Sequence, residues 1–590
     1  MNKEFTFQSY QGAEVFDKIE KETLKLNWER LLKIQTKLSV FQGYDFVTTW
    51  YKSYSGFFTP LLFLAWDDDN ELVGLLPLAI HKEKNYVVCA GDELAEYHGF
   101  IAEADYEESF GIHCLKTLKK DFSFGHWRLG WVAPDSNSSW TNKESLTKHG
   151  IYCHLEIATD PVWNLENPAK LKKIKKRANV KRCYRQYNER GNFRYERISG
   201  TDRMEFLLKE FSRQSDFKKE ALFGKRLFET DPHITDFLIA LQEFPEMSHF
   251  SVLWLDDKPI AFNHGYVDGK ELCLAGYTSY DPSESRNSPG KLHLIELAQS
   301  GPEEGYTLID LTPGKDGYKS RFANHMREVK KMTFYFNARA KAFGDLKHGL
   351  KENGFRLFAK AGVNDYDVKF WKTELRAYLK RLSKSGLKGL VHLCLNFIQR
   401  KHEYRVFQVM KPQGIPEALG LGESYAIKRN DFSDLVNYHE PLYYVSRKTL
   451  FQKSLTRFSR GDKLYSLTQN GKLVFLVWVR NGKYELKLPG AKYSHQFPEN
   501  SHVAYGFCGF GDKVPQETLD AFYQEIIKDC NSLGIAQIYF CFGLEDIASQ
   551  EFVKNRGLEK RFTHSHWQRF YFMNKSSHVE HAEHVDLIHA

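Results

Sequence analysis

No run of apolar residues in this chain approaches the ~18 needed to cross a bilayer, and the start, Met1 to Ser9, carries no apolar signal segment. Secretion and membrane insertion are therefore not expected. Cysteine is scarce: nine residues in 590, scattered, odd in number and without a C-x-x-C pair. That pattern suits buried, reduced thiols in a cytoplasm and neither a disulfide framework nor a zinc site. A general excess of one charge is missing too. Lys and Arg total 83 against 75 Asp and Glu, and the net +8 is concentrated in two short stretches. The rest of the chain is net acidic, so duplex DNA is not an expected partner. Walker loop, dinucleotide fingerprint and a Ser/His/Asp order are also lacking. What remains is 42% hydrophobic and 27% charged, a balance that excludes disorder and fibrous architecture. Aromatic residues reach 15%, which favours broad sheets with planar groups lining clefts.

The first basic stretch, Lys170 to Arg185, has nine basic residues and no acid. The second, Lys369 to Arg405, has ten against two acids, with Leu375, Leu379, Leu382, Leu390 and Leu393 near helical spacing. Such a segment either lies on an anionic membrane surface or packs as a solvated linker helix.

At roughly 150 residues per domain the chain is long enough for four domains or for a larger repeated unit, and a repeat is present. Leu61–Cys89, Ser251–Ala275 and Lys463–Leu488 each read as strand, turn rich in Asp, Asn or Gly, strand, turn, strand. That is a three-stranded antiparallel meander. Each is followed by an amphipathic helix and another strand: Glu107–Lys120 and His126–Val132, Gly290–Ser300 and Tyr306–Leu311, Pro515–Leu533 and Ile535–Phe542. The expected class is α/β with mixed sheets in three related domains.

A meander leading into a strand-helix-strand unit resembles the core of the GNAT acyltransferase fold. The carrying residues are the basic helix Lys172–Gly191, the Ser288-Pro289-Gly290 turn and, most specifically, LIDLTPGKDGYKSRF from Leu308 to Phe322. Through Asp310, Leu311, Gly314, Tyr318 and Lys319 that block is similar to the D-[FL]-x-x-G-x-x-x-Y-K signature of CelD-type acetyltransferases of bacterial polysaccharide synthesis. These share a tandem GNAT arrangement with Fem-type aminoacyltransferases. The resemblance implies three tandem GNAT-like domains, the first two forming a Fem-like pair: 1–165, 166–345, a basic helical linker 346–405, a third domain 406–575, and a His-containing tail 576–590. His578, His581 and His584 in that tail are expected to be exposed, and no metal is expected.

Acyl transfer needs a group that holds the donor's pyrophosphate and one that takes the acceptor's proton. The helix start at Ser288 and Gly290, with Arg286 one residue further off than the GNAT pattern has it, is the expected donor site together with Gly314; a plain helix cap is the bland reading of the same turn. Asp310 is placed to accept a proton or orient the acceptor, Lys319 to stabilise a developing oxyanion, and Tyr318 to donate a proton or stack on a sugar. An Asp310–Lys319 ion pair closing a turn is the structural alternative. The resemblance puts the acceptor in the cleft between the first two domains, near Glu96 and Tyr97, where AEYHGF is similar to the family's S-D-Y segment, and near Gln214. His264 either faces that cleft or is a core histidine. The third domain lacks an Arg or Gln in its phosphate turn and is expected to be non-catalytic. The expected activity is acetyl-CoA-dependent acyl transfer to a sugar or sugar-nucleotide, in the cytoplasm or at the inner face of an anionic membrane. The alternatives are a Fem-like aminoacyl-tRNA donor, which would bring tRNA to the basic helix, and an inactive polysaccharide-binding protein.

Overall fold

The computed structural model describes the chain apart from residues 1–3, 35–39, 85, 123–124, 135, 137–138, 142, 276, 315–316, 361–398, 411–423, 439–445, 484, 487–495, 510–513, 536, 544–558, 570–572 and 581–590. The described residues are mixed α/β, with three sheets. The first contains β1 (Thr6–Gln11), β2 (Phe58–Trp66), β3 (Leu72–His81), β4 (Val87–Cys89) and β5 (Ile101–Ala102). The second contains β6 (His126–Val132), β7 (Tyr152–Asn164), β8 (Phe193–Arg197), β9 (Ser248–Leu255), β10 (Lys258–Asp268), β11 (Glu271–Cys273), β12 (Thr278–Tyr280), β13 (Leu308–Asp310) and β14 (His325–Tyr335). The third contains β15 (Gln399–Met410), β16 (Tyr425–Arg429), β17 (Lys463–Gln469), β18 (Lys472–Asn481), β19 (Ser501–Gly509), β20 (Gln537–Gly543), β21 (Glu559–Arg569) and β22 (Met573–Glu580).

The local causes are those the pattern suggested. β3 is an apolar run buried along its whole length, as a strand covered on both faces must be, and β9 is buried as fully although Ser248, His249 and Ser251 interrupt its apolar residues. Asn70, Asp256 and Asn470 take positive φ at the turn between the first two meander strands of each copy, which Asn and Asp tolerate best after Gly.

The chain divides into two compact units. One holds Met1–Ser215, Leu227–Tyr280 and Pro289–Asn364, with the first two sheets; the other holds Asp216–Arg226, Asp281–Ser288 and Asp365–Ala590. In the first unit the second sheet runs β8-β9-β10-β11-β13-β7-β14-β6. Only β11 and β13 are parallel along this path. The boundary expected at 165 does not separate sheets. β6 and β7 precede it and pair with β14, at the far end of the second domain. A parallel bridge, Tyr97 to Trp131 on β6, ties the first copy's β4 side to the same strands. The two copies thus exchange their last strands, a pairing that local alternation cannot reveal.

In the second unit the order is β16-β17-β18-β19-β20-β15-β21-β22, with β19 and β20 parallel and the rest antiparallel. Strand for strand this repeats the second sheet. Three expectations are corrected here. The strand that pairs with the second strand of the third meander is Ser501–Gly509, beyond the expected stretch ending at Leu488, most of whose last residues lie outside the described ones. Gln399–Arg405, assigned by charge to a helical linker, forms β15, in keeping with the β-branched and aromatic residues of Tyr404–Val409. Ser576–Glu580, assigned to the tail, completes β22 against β21. The expected amphipathic membrane helix falls within 361–398, outside the described residues. Among the described residues no helix is long and apolar enough to cross a membrane.

Candidate active site

β13 ends at Asp310, opposite Cys273 of parallel β11 and Val162 of β7. Its backbone carbonyl accepts from Leu274 N–H at 2.9 Å, the last bond of the parallel pair. The side chain is fully buried. Oδ1 accepts from Thr312 N–H at 2.6 Å, and Oδ2 accepts from the Tyr97 hydroxyl at 2.6 Å and lies 3.1 Å from Arg327 Nη2. Tyr97 comes from the first copy and Asp310 from the second, so the bond joins the two halves of the first unit.

Arg327, on β14, stands directly opposite Asp160 on β7. Its Nε and Nη2 donate to Asp160 Oδ2 at 2.9 and 2.7 Å, and its Nη1 and Nη2 donate to Glu271 at 2.8 and 2.6 Å. One guanidinium therefore gathers three carboxyl groups, two of them wholly buried. Burial, then the charge of Asp160, drives the Asp310 carboxyl well above the usual carboxylate range, against the pull of Arg327. Asp160 Oδ1 is buried with no hydrogen-bond partner. Both aspartates reach Arg327 Nη2, and the upward push on Asp310 favours its protonated form beside Asp160. The Tyr97 hydroxyl is pushed up by burial and by the charge it faces in Asp310, and it stays a donor.

Lys319 does not pair with Asp310. Its buried ammonium donates to Thr312 O at 3.0 Å and Oγ1 at 3.1 Å, and to Pro313 O at 3.5 Å. Thr312 has φ 65, a left-handed conformation that costs a β-branched residue of order 1–3 kcal/mol and survives only where neighbours fix it. Asp310 holds its N–H and Lys319 its carbonyl. Gly314, with φ 148, follows in the same turn and is exposed, as is Tyr318 at 46%.

The remaining expected residues lie elsewhere. Glu96 is half-buried beside Tyr97, and its charge helps to raise the buried Cys273 thiol. Gln214 is buried, donating to Glu210 at 3.1 Å and to Pro259 O at 3.2 Å. His264 is fully buried, 3.3 Å from the Ser248 hydroxyl, and burial lowers it to about 3, so it is neutral. Neither touches Asp310. Gly290 opens the helix Pro289–Ser300, where an added Cβ would meet the Tyr280 ring at 3.2 Å. Arg286 and Ser288 belong to the second unit, where Arg286 is exposed and packs over Gly461, and Ser288 caps its short 3-10 turn with φ 52.

Asp160, Glu271 and Arg327 were not foreseen. A second group was also unforeseen. Lys291, in the first turn of Pro289–Ser300, is lowered by burial and by Arg177 and Arg321; Lys170 is lowered by burial, Arg177 and Lys173. Lys170, Lys173, Arg177 and Lys291 have no carboxylate partner among the described residues. Unbalanced cations at a helix start are the chemistry of an anion site. Among the described residues His154, Glu156 and His348 also come within 4.8 Å of one another, but the two imidazoles stack at 4.3 Å and 23°, which turns their lone pairs parallel and not toward a common point.

Residues 175–320 match the family described as Acetyltransferase (GNAT) domain. The match covers most of the second copy, with Asp310, Tyr318 and Lys319 inside the matched span and Asp160 and Arg327 outside it. Among solved structures, FemX is 13% identical, over 52% of this chain and 95% of that one, with a TM-score of 0.37. The C-terminal domain (DUF2156) of a putative lysylphosphatidylglycerol synthetase from Agrobacterium fabrum is 10% identical, over 55% and 95%, at 0.34. A tandem GNAT protein from the clavulanic acid biosynthesis pathway is 9% identical, over 56% and 98%, at 0.33. Likeness at this level does not bear on substrate. Comparison with curated proteins finds no match.

Proposed function

We propose that the protein transfers an acyl group, acetyl from acetyl-CoA, to an amine or hydroxyl of a sugar or sugar-nucleotide in surface polysaccharide assembly. The observation that carries this reading is the Tyr97–Asp310 bond at the end of the parallel pair, backed by Asp160 and Arg327, inside and beside a GNAT-matched segment. Acyl transfer joins the acceptor's nitrogen or oxygen to the carbonyl carbon, breaks the carbon–sulfur bond and moves the acceptor's proton to the departing thiolate, which leaves as the thiol. Asp310, its carboxyl driven up beside Asp160 in a dry site, holds the proton, and Tyr97, the less buried of the two at 3%, is the group through which it reaches the reacting centre. Lys319 acts as a positioning residue, through the Thr312 turn. Donor phosphates fit the cations Lys291, Arg177, Lys170 and Arg321 at the start of Pro289–Ser300, and a diphosphate there would balance charge that no carboxylate among the described residues balances.

Calorimetric titration with acetyl-CoA, followed by turnover with a panel of amino sugars, tests the reading. Tyr97→Phe and Asp310→Asn should each lower turnover by roughly 10² or more with donor affinity kept. Near-normal turnover in both folded variants would refute the assignment. A second reading, an aminoacyl-tRNA donor, is favoured by the nine cations of Lys170–Arg185. Binding of charged tRNA that falls steeply with salt, without binding of acetyl-CoA, would select it.

A further inference from the structure

The helix Ala338–Lys360 is turned the wrong way for a helix at a watery surface. The side toward the protein is small and polar. At Gly344 an added Cβ would strike the Tyr335 hydroxyl, and His348 stacks on His154 of β7. The other side carries Phe343, Leu346 and Leu350, exposed at 70%, 61% and 67%. Their spacing of three and four residues puts them in one stripe. An amphipathic helix that hides its polar face and shows its apolar one has its partner elsewhere.

Charge says what that partner is. The helix has six basic residues (Arg339, Lys341, Lys347, Lys351, Arg356 and Lys360) against Asp345 and Glu352, and the sequence beyond it adds Lys369, Lys372, Arg376, Lys380, Arg381, Lys384 and Lys388 before β15. A second copy of the helix, or the 369–388 segment folded back, would set cations against cations. An anionic lipid surface meets both demands at once: the stripe enters the boundary between headgroups and acyl chains, and the flanking cations meet lipid phosphates. We propose that this outer face of Ala338–Lys360 docks the protein reversibly on anionic membranes, independently of what the acyl-transfer site does.

The test is co-sedimentation of the full chain with phosphatidylcholine vesicles, alone or with about a third phosphatidylglycerol, at low and high salt. The wild type should bind the anionic vesicles at low salt and lose them at high salt. The triple variant Phe343→Ser, Leu346→Ser, Leu350→Ser should lower the partition coefficient roughly tenfold or more with its melting temperature unchanged, because the side chains it shortens are exposed. Lys347→Glu with Lys351→Glu should weaken binding in the same assay and keeps the test open if the triple variant misfolds. Four results overturn the proposal. They are a wild type that fails to sediment at low salt, equal binding to neutral and anionic vesicles, a triple variant that binds as the wild type does, and a triple variant that loses only self-association in light scattering or only protection of 369–388 from trypsin.

Discussion

Replacing Arg327 by Met removes the one cation that Asp160 and Asp310 share, at nearly constant side-chain length. Both carboxyl groups are fully buried and the arginine side chain is 14% exposed, so solvent cannot take its place. Breaking such a buried cluster costs about 3–5 kcal/mol at neutral pH. Its dependence on pH follows from the protons. With the guanidinium gone, Asp310 loses the charge that pulled against its burial and binds its proton more tightly than in the unfolded chain, where an aspartate titrates near 4. Stability of the variant is therefore fullest in acid and is lost as pH rises from about 4 through the folded value, by about 1.4 kcal/mol per unit for one proton. Asp160→Asn in the Arg327→Met background removes one buried charge and should return part of the loss, so the double change costs less than the sum. Scanning calorimetry of wild type, both single variants and the double variant from about pH 5 to 8 reads all of this. A deficit below about 1 kcal/mol at neutral pH, the worth of an exposed pair, refutes the account of the cluster.

Lys319→Met should release the Thr312 turn, lowering turnover without loss of donor affinity, and Thr312→Gly in that background should restore stability by removing the backbone strain; turnover equal to wild type in the folded single variant contradicts this. Phe217 lies in the second unit, stacked on Phe451 at 4.5 Å, so Phe217→Ala should cost that unit about 3–5 kcal/mol in a denaturant titration although the residue lies far ahead of the unit's main stretch, which begins at Asp365; a shift confined to the first unit's transition would contradict the division. His264 and His293 are buried neutral with values near 3, against about 6.5 unfolded, so each contributes stability that is full above 6.5 and is lost as pH falls, about 2 kcal/mol apiece by pH 5. His293→Gln should flatten the acid limb by one histidine's share, and an unchanged limb rules the titration out.

The parts legible in the sequence were those written in local pattern. Meander strands, the helix after each and the Asn or Asp turns all follow from alternation and turn chemistry within some thirty residues, and the D-L-T-P-G block drew notice to Asp310 and Lys319. The partners of those two residues were not legible. Arg327 sits in the strand HMREVKKMTFY among other cations, and nothing nearby marks it from Lys330 or Lys331. It faces Asp160 only because β7 leaves the first copy to pair with β14, 167 residues further along. A lone Asp before Pro161 in an apolar run reads as a turn unless that exchange is known.

The exchange also explains why the chemistry collects where it does. A sheet that ended at β13 would leave Asp310 on an edge, open to water and free to ionise. Inserting β7 between β13 and β14 covers that edge and brings in Asp160 at the register position opposite Arg327. The bridge at Tyr97 adds a phenol from the other copy. The third sheet has the same strand order, with β15 and β21 in the places of β7 and β14, yet both come from its own stretch of chain. Its buried ion pair is different: Arg480 takes Asp462 at 2.8 and 2.6 Å, with the Tyr505 hydroxyl beside them, on the β17–β18–β19 side of the sheet. Buried charge thus recurs on this topology, and in the first unit it lies where two copies meet at the end of a parallel pair.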